Sequence, residues 1–445
     1  MRVSLESRCP GPGPQSIALV LAAALILSGC MLLRARKDQQ QIAALARIDG
    51  EVETEHASEN LLIVVLLPAA MLDASSPDEL EIADHFVRER SGRYAFAVTP
   101  GSYVLAAFED VNADGNYDPD EPLLGGPKRE PFDIAAGQTL TFDLVIPTRG
   151  RAVKRVDGPI DIAGVQARSL QGQAWTSIGQ LLTKGAVADL SDERFGPASG
   201  ALGLWEPLNA IIQVGGGIFF TEPYDPSRIP VLFVHGISGY PQEFRELIDS
   251  LDRDTYQAWF FFYPSGIRLQ DTAKWGAETM RELQIRLGFN EFAVVAHSMG
   301  GLVSRSLILQ HANLSGRGDA SLLLTISTPW GGHQPAGAGV KRSPVIVQSW
   351  IDLAPSSDFL KNLFWREDDP NTPRTLPDET AFHMLWGYGG PNNNTDGVLS
   401  IASQQRAEAQ AEANSNRSFA EDHTGILKSD DVKARVNAML AKRFE

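Results

Sequence analysis

The order of apolar and polar positions changes character partway along the chain. Between Gly50 and Pro147 it is that of strands: Leu61 to Leu67 is a buried run, Tyr94 to Val98 alternates, Tyr103 to Phe108 is apolar, and Thr139 to Ile146 alternates again. Pro100-Gly101 and Ala136-Gly137 punctuate these runs, so residues 50–148 are expected to form a small antiparallel β-sandwich. Residues 149–206 read as a connecting segment with helical-looking pieces around Ile178 to Leu190. From Pro207 to Glu445 strand and helix patterns alternate. Ile211 to Phe220, Pro230 to Val234, Trp259 to Tyr263, Phe292 to Ala296 and Leu322 to Ser327 read as strands, and Gln242 to Leu251, Thr272 to Leu287 and Leu302 to His311 as helices. Such alternation predicts an α/β domain, a mainly parallel sheet covered by helices on both faces. A long insertion at about 333–380 carries apolar residues at roughly helical spacing, including Trp350, Phe359, Leu363 and Phe364. It reads either as an acyl-binding lid or as ordinary helix packing on the core.

Composition narrows the class. The chain has 445 residues, 43% of them hydrophobic, enough for two or three units with a sizeable core. A formal net charge of −16 argues against a nucleic-acid partner, because neutralising phosphates needs basic surface. The opening residues do not read as fold. Arg2 and Arg8 precede the apolar run Ile17 to Leu27, which is too short to span a bilayer as a mature helix, and small residues follow. Residues 1–29 read as a secretory signal ending in Leu27-Ser28-Gly29-Cys30, which resembles the lipobox of bacterial lipoproteins. The resemblance implies acylation of Cys30, attachment to the membrane through that anchor, and, from Met31 at the next position, the outer membrane of the cell envelope. Cys9 lies in the segment that would be removed, so no thiol pair is left for a disulfide. Residues 30–49 read as a short helical or flexible tether.

One loop of the first domain points to a metal. Asp110, Asn112, Asp114, Asn116, Asp118 and Glu121 place side-chain oxygens at the spacing of a calcium loop, with Gly115 at the bend. A strand leads in and Pro119 and Pro122 interrupt any exiting helix, so a structural calcium site embedded in a sheet domain is expected rather than a helix-loop-helix pair. The competing reading is an Asp/Asn/Gly turn that needs no metal.

The second domain carries the catalytic chemistry. A serine hydroxyl is a weak nucleophile and must be presented on a tight turn where a histidine can take its proton. Ala296-His297-Ser298-Met299-Gly300-Gly301, between a strand pattern and a helix pattern, fits such a turn, with small residues two before and two after Ser298. Glycine is usual at the first of these, so Ala296 is a departure. His235-Gly236-Ile237-Ser238-Gly239 follows an apolar strand, where a glycine lets the chain approach substrate; Ile237 and Met299 are the expected backbone donors to a developing oxyanion, and His235 is expected to shape the loop without exchanging protons. His423 in Glu421-Asp422-His423-Thr424-Gly425 is the candidate base, and Asp396 in Asn394-Thr395-Asp396-Gly397-Val398 its orienting acid, with Asp422 as rival. His297 is expected to pack or line the pocket. His311, His333 and His383 are expected to be structural, without zinc-like spacing.

Taken in order, the elbow serine, the His-Gly loop, Thr328-Pro329-Trp330-Gly331-Gly332, Asp396-Gly397 and the late His423 resemble the α/β-hydrolase lipases and esterases, including the branch related to GPI-inositol deacylases. The resemblance implies a serine hydrolase of hydrophobic or lipid esters that needs no cofactor for catalysis. Two other readings stand beside it: acyl transfer by the same triad, and a surface-anchored binding protein whose hydrolase fold is inert. The sequence leaves oligomeric state open.

Overall fold

The computed structural model describes residues 31–73, 80–125, 130–148, 159–162, 164–165 and 175–444. Cys30 and the signal-like residues 1–29 lie outside them. No helix among the described residues is long and apolar enough to cross a membrane.

The amino-terminal part contains two sheets. In one, β1 (Ala46–Thr54) lies between β4 (Gly92–Val98) and β10 (Leu144–Ile146), with β9 (Thr139–Thr141) also pairing to β1. In the other, β2 (Leu61–Pro68) lies between β3 (Asp84–Arg88) and β5 (Gly101–Asp110), which in turn pairs with β7 (Leu123–Gly125) and β8 (Phe132–Ile134). Alternate side chains of both sheets, among them Ile48, Val64, Phe96, Leu105 and Ile146, fill one apolar core. The expectation of an antiparallel unit needs correction, because β1 runs parallel to both β9 and β10. The expected single strand Thr139 to Ile146 is broken at Phe142 and Asp143, where Phe142 N–H donates to Asp49 O and its carbonyl accepts from Tyr94. Two further short strands, β6 (Asn116–Tyr117) and β11 (Ile160–Asp161), pair with each other.

The segment read as a short helical or flexible tether is helical and packs on the body. Residues 31–44 are helical, α1, and Asp38 is buried. Its carboxylate accepts from the N–H groups of Leu208 and Asn209 at the start of α2 (Pro207–Val214), which are two of the donors a helix N-terminus leaves open. Burial raises the Asp38 carboxyl pKa against those two bonds. Gln39 donates to the Ile346 carbonyl, so α1 touches the insertion as well.

The second part is built on an eight-stranded sheet ordered β12-β13-β15-β14-β16-β17-β18-β19. The strands are β12 (Leu182–Val187), β13 (Gly216–Phe220), β14 (Ile229–Val234), β15 (Tyr256–Phe262), β16 (Phe292–His297), β17 (Ala320–Ile326), β18 (Ala381–Gly387) and β19 (Ser415–Phe419). Every pairing is parallel except β13 with β15. Helices α3 (Leu269–Leu287) and α4 (Met299–Ser315) share one core with one face, and α6 (Asp430–Phe444) shares another with the opposite face. Two boundaries move. The piece expected to be helical around Ile178 to Leu190 supplies β12, so the sheet begins inside the expected connecting segment 149–206. Ile211 to Val214, expected in a strand, closes α2, because Pro207 sets its first turn and Gly215 at φ 87° ends it.

The apolar residues of the insertion face inward. Phe359, Leu360, Leu363 and Phe364 join Trp330 and Phe382 in the core, each buried side chain contributing about 1.5–3 kcal/mol. Arg305 of α4 is buried, donates to the carbonyls of Leu363 and Arg374, and pairs with Glu412 at 2.7 Å. Asp352 of α5 (Gln348–Leu353) accepts from Arg268 and from Leu269 N–H at the start of α3. Those residues pack as core rather than as a free cover.

Candidate active site

Four parallel strands deliver the site. Ser298 follows β16, Ile237 follows β14, Asp396 lies in the loop after β18, and His423 follows β19. All four sit beyond the carboxyl ends of their strands, the edge at which such sheets present ligand sites.

The elbow is held under strain. Ser298 has φ 54° and ψ −129°, a conformation costing about 1–3 kcal/mol in a non-glycine residue, and the frame around it pins it there. Its N–H donates to Ile326 O at 2.8 Å and its carbonyl accepts from Gly301 N–H at 3.0 Å. The small residues have specific neighbours. A Cβ at Gly300 would lie 2.2 Å from Val234 O, one at Gly301 2.0 Å from Thr328 Oγ1, and one at Gly236 2.7 Å from Ser298 Cβ. Ala296 is fully buried in register between Val234 and Thr325, so its methyl group fits the place where glycine is usual.

Ser298, His423 and Asp396 form one hydrogen-bonded chain. His423 Nε2 lies 3.0 Å from Ser298 Oγ, and His423 Nδ1 lies 2.6 Å from Asp396 Oδ2. The other oxygen, Asp396 Oδ1, accepts from Val398 N–H at 2.9 Å and Leu399 N–H at 2.6 Å, and Gly397 at φ 96° makes that turn. Burial pulls the Asp396 carboxyl up, but the bond to His423 and the two N–H donors outweigh it and hold the group below the usual carboxylate value. Burial pushes His423 below the usual imidazole value even though Asp396 raises it. A neutral imidazole whose Nδ1 proton is fixed by a carboxylate offers a bare Nε2 to the serine hydroxyl. The rival Asp422 is turned away, accepting from the N–H groups of Thr424 and Gly425.

Met299 N–H stands at the first position of α4, and neither it nor Ile237 N–H has an acceptor among the described residues. The Ile237 loop is fixed from below. His235 Nδ1–H donates to Gly236 O at 2.9 Å, its Nε2 accepts from Tyr263 N–H at 3.3 Å, and its ring stacks on Tyr263 at 4.3 Å. Burial lowers its pKa, which suits a loop-shaping role. Ser238, at φ 52°, donates from its N–H to Ser265 Oγ. Tyr263 and Ser265 escaped sequence reasoning because nothing in their spacing marks them. Of the other histidines, His311 Nε2 bonds Gln284 and His383 Nδ1 bonds Ser415, whereas His333 lies against the Val398 backbone, close to Asp396 and His423.

The acidic loop of the first domain is closed by its own hydrogen bonds. Asp110 accepts from Asp114 and Gly115 N–H, Glu121 from Val111 and Asp118 N–H, and the Asn112 amide donates to Asp114 and Asp118. Asn116 donates its N–H to Asp114. Burial and neighbouring carboxylates raise the pKa of both Asp110 and Glu121. Among the described residues no three histidine, cysteine, aspartate or glutamate side chains are grouped as ligands of one metal ion.

Fold and site together define a mixed α/β protein in which a serine, a histidine and an aspartate meet at the carboxyl edge of a mainly parallel sheet. No protein-family model and no curated protein matches the chain. Among solved structures it is similar to the mature form of the Bacillus licheniformis lipase BlEst2, at 21% identity and TM-score 0.39 over 50% of this chain and 97% of that one. It is also similar to the lin2722 gene product of Listeria innocua, at 17% identity and TM-score 0.37 over 48% and 94% of the two chains. A third is Aspergillus fumigatus lipase B, at 15% identity and TM-score 0.39, where the match covers 51% of this chain and 56% of that one.

Proposed function

We propose that this chain is a serine hydrolase that cleaves carboxylic esters of lipids or other hydrophobic alcohols and acids through an acyl-enzyme. The observation that carries the reading is the continuous chain Ser298 Oγ, His423 Nε2, His423 Nδ1, Asp396 Oδ2, with links of 3.0 and 2.6 Å. Ser298 Oγ attacks the ester carbonyl carbon while His423 Nε2 takes the hydroxyl proton. Asp396 holds the imidazole in the required tautomer and stabilises its charge. The negative charge on the carbonyl oxygen meets the N–H groups of Ile237 and Met299, at the positive end of α4. The intermediate collapses, His423 returns the proton to the departing alcohol, and the acyl group stays on Ser298. Water, deprotonated by His423, then releases the acid and restores the serine.

Membrane attachment through an acylated Cys30, in the outer membrane of a bacterial envelope, belongs to the same proposal. Its support is the lipobox-like sequence and the packing of the helical residues 31–44, which would hold the body close to the bilayer, with Arg34, Arg36 and Lys37 exposed. Calcium at the Asp110 loop is a further proposal. The crowding of buried Asp110 and Glu121 with Asp118 is a charge arrangement that a hard divalent cation relieves. Hydrolysis of p-nitrophenyl esters from acetate to palmitate, with Ser298→Ala alongside, tests the enzyme reading. Serine-dependent turnover supports it, and turnover untouched by the substitution rejects it.

A further inference from the structure

A second histidine and a second carboxylate lie beside the site and take no part in the steps above. His297 Nε2 is 2.8 Å from the carbonyl oxygen of His423. A carbonyl can only accept, so Nε2 carries the proton and Nδ1 of a neutral ring is bare. That nitrogen faces Glu243 Oε1 at 3.7 Å. Both atoms are buried, and neither has a hydrogen-bond partner among the described residues. Two lone pairs facing each other away from water are unfavourable, and one proton between them removes the conflict. The loop makes room for this carboxylate: a Cβ at Gly239 would stand 3.0 Å from Glu243 Oε1 and 2.8 Å from Gly236 N. The backbone of His423 is thereby gripped from two sides, its N–H donating to Asp396 O at 2.8 Å and its carbonyl accepting from His297.

We infer that His297 is a positioning residue for His423, and that the Glu243 carboxylate holds the His297 ring in place by facing a proton carried on Nδ1. The inference rests on the reading of Ser298, His423 and Asp396 as one catalytic unit. His297 acts through the His423 carbonyl, and its ring lies 4.8 Å from the His423 ring, centroid to centroid. The titratable groups around the pair are Tyr240, Tyr263 and His235 on the Glu243 side, and His423 with Asp396 behind it on the other. Burial raises both tyrosines and lowers both His235 and His423, so these four stay neutral as the solution turns mildly alkaline.

The test combines NMR of the full-length protein labelled with 15N-histidine and ester kinetics over pH. The resonances that vanish in His297→Phe should show, at neutral pH, an Nδ1 that carries or shares a proton; a bare Nδ1 overturns the inference. His297→Phe keeps the ring and removes the donor, and should lower kcat about tenfold with KM little changed, as small misplacements do. His297→Gln, whose amide can reach the same carbonyl, should recover most of that loss. Glu243→Leu should behave like His297→Phe, while Glu243→Gln, whose amide can donate towards Nδ1, should restore the rate. Wild-type kcat in His297→Phe, or no rescue by glutamine at either position, overturns it. If Ser298→Ala turns over like wild type, the reading of the site fails, and the NMR result still judges the pair by itself.

Discussion

Asp396 and Asp110 each open a loop that follows a strand, and each carboxylate accepts two backbone N–H groups from the turn it starts. At Asp396 both donors, Val398 and Leu399, share Oδ1, and Oδ2 is left for the His423 imidazole. At Asp110 the donors are divided, Asp114 on one oxygen and Gly115 on the other, and the nearest charges are carboxylates. The consequences run in opposite directions: Asp396 is held below the ordinary carboxylate value and Asp110 above it. Similar local turn chemistry therefore yields a carboxylate paired with an imidazole in one place and a crowded anionic loop in the other. What separates the two is the partner that the long-range topology delivers.

The largest effect that would sharpen this contrast is at the nucleophile. Ser298→Ala should reduce ester turnover at least about 10³-fold while leaving the urea unfolding curve in place. Asp396→Asn should cost a similar factor, about 10³–10⁴ in kcat, because an amide facing Nδ1 favours the wrong tautomer. The equivalent change at Asp110 should leave kcat untouched. Equal losses at both aspartates would break the comparison.

Gly236→Ala comes next. A methyl group 2.7 Å from Ser298 Cβ must push the elbow or the oxyanion loop aside, with an expected loss of about 10²-fold in kcat at unchanged far-UV circular dichroism. The pH profile is a milder probe. Burial lowers His423, so kcat/KM should rise as it loses its proton, with a midpoint below the ordinary imidazole value of 6.5, and then level off. A midpoint above that value would contradict the electrostatic description. Asp396, lowered in the fold, contributes stability that is complete above the ordinary carboxylate range and is lost as pH falls through its folded value. Asp110, raised in the fold, changes in the opposite sense, its contribution growing as pH falls through its folded value. The smallest effect is at the Asp110 loop: calcium at about a hundred times its dissociation constant should stabilise the full chain by about 2.7 kcal/mol, and Asp110→Ala should abolish that gain. No shift in Tm on adding calcium would leave the loop a metal-free turn.

Much of the second domain could be read from sequence because buried parallel strands are continuous apolar runs and the elbow tolerates few residue types. Gly236, Gly300 and Gly301 are dictated by contacts under 3 Å, so their pattern carries structural information. Ser298, Asp396 and His423, expected from order along the chain, are brought into one hydrogen-bonded line. Other features were less legible for physical reasons. Ile211 to Val214 is apolar enough for a strand, and only its flanking Pro207 and Gly215 turn it into a helix end. β12 is a short edge strand, half-buried and kinked at Gly185, with no clear alternation. The parallel pairing of β1 with β9 and β10 depends on crossovers that local periodicity does not encode. Asp38 and His297 each act on a residue more than a hundred positions away, and Glu243 on one in a different element, and spacing along the chain is silent about such partners.

The central claim is that Ser298 is the nucleophile of an assembled triad. The most direct measurement is reaction of the full-length protein with a fluorophosphonate, followed by mass mapping of the labelled peptide. The account predicts a single adduct on Ser298, absent from Ser298→Ala and strongly slowed in Asp396→Asn. A folded protein that takes no label, or takes it on another serine, would contradict it.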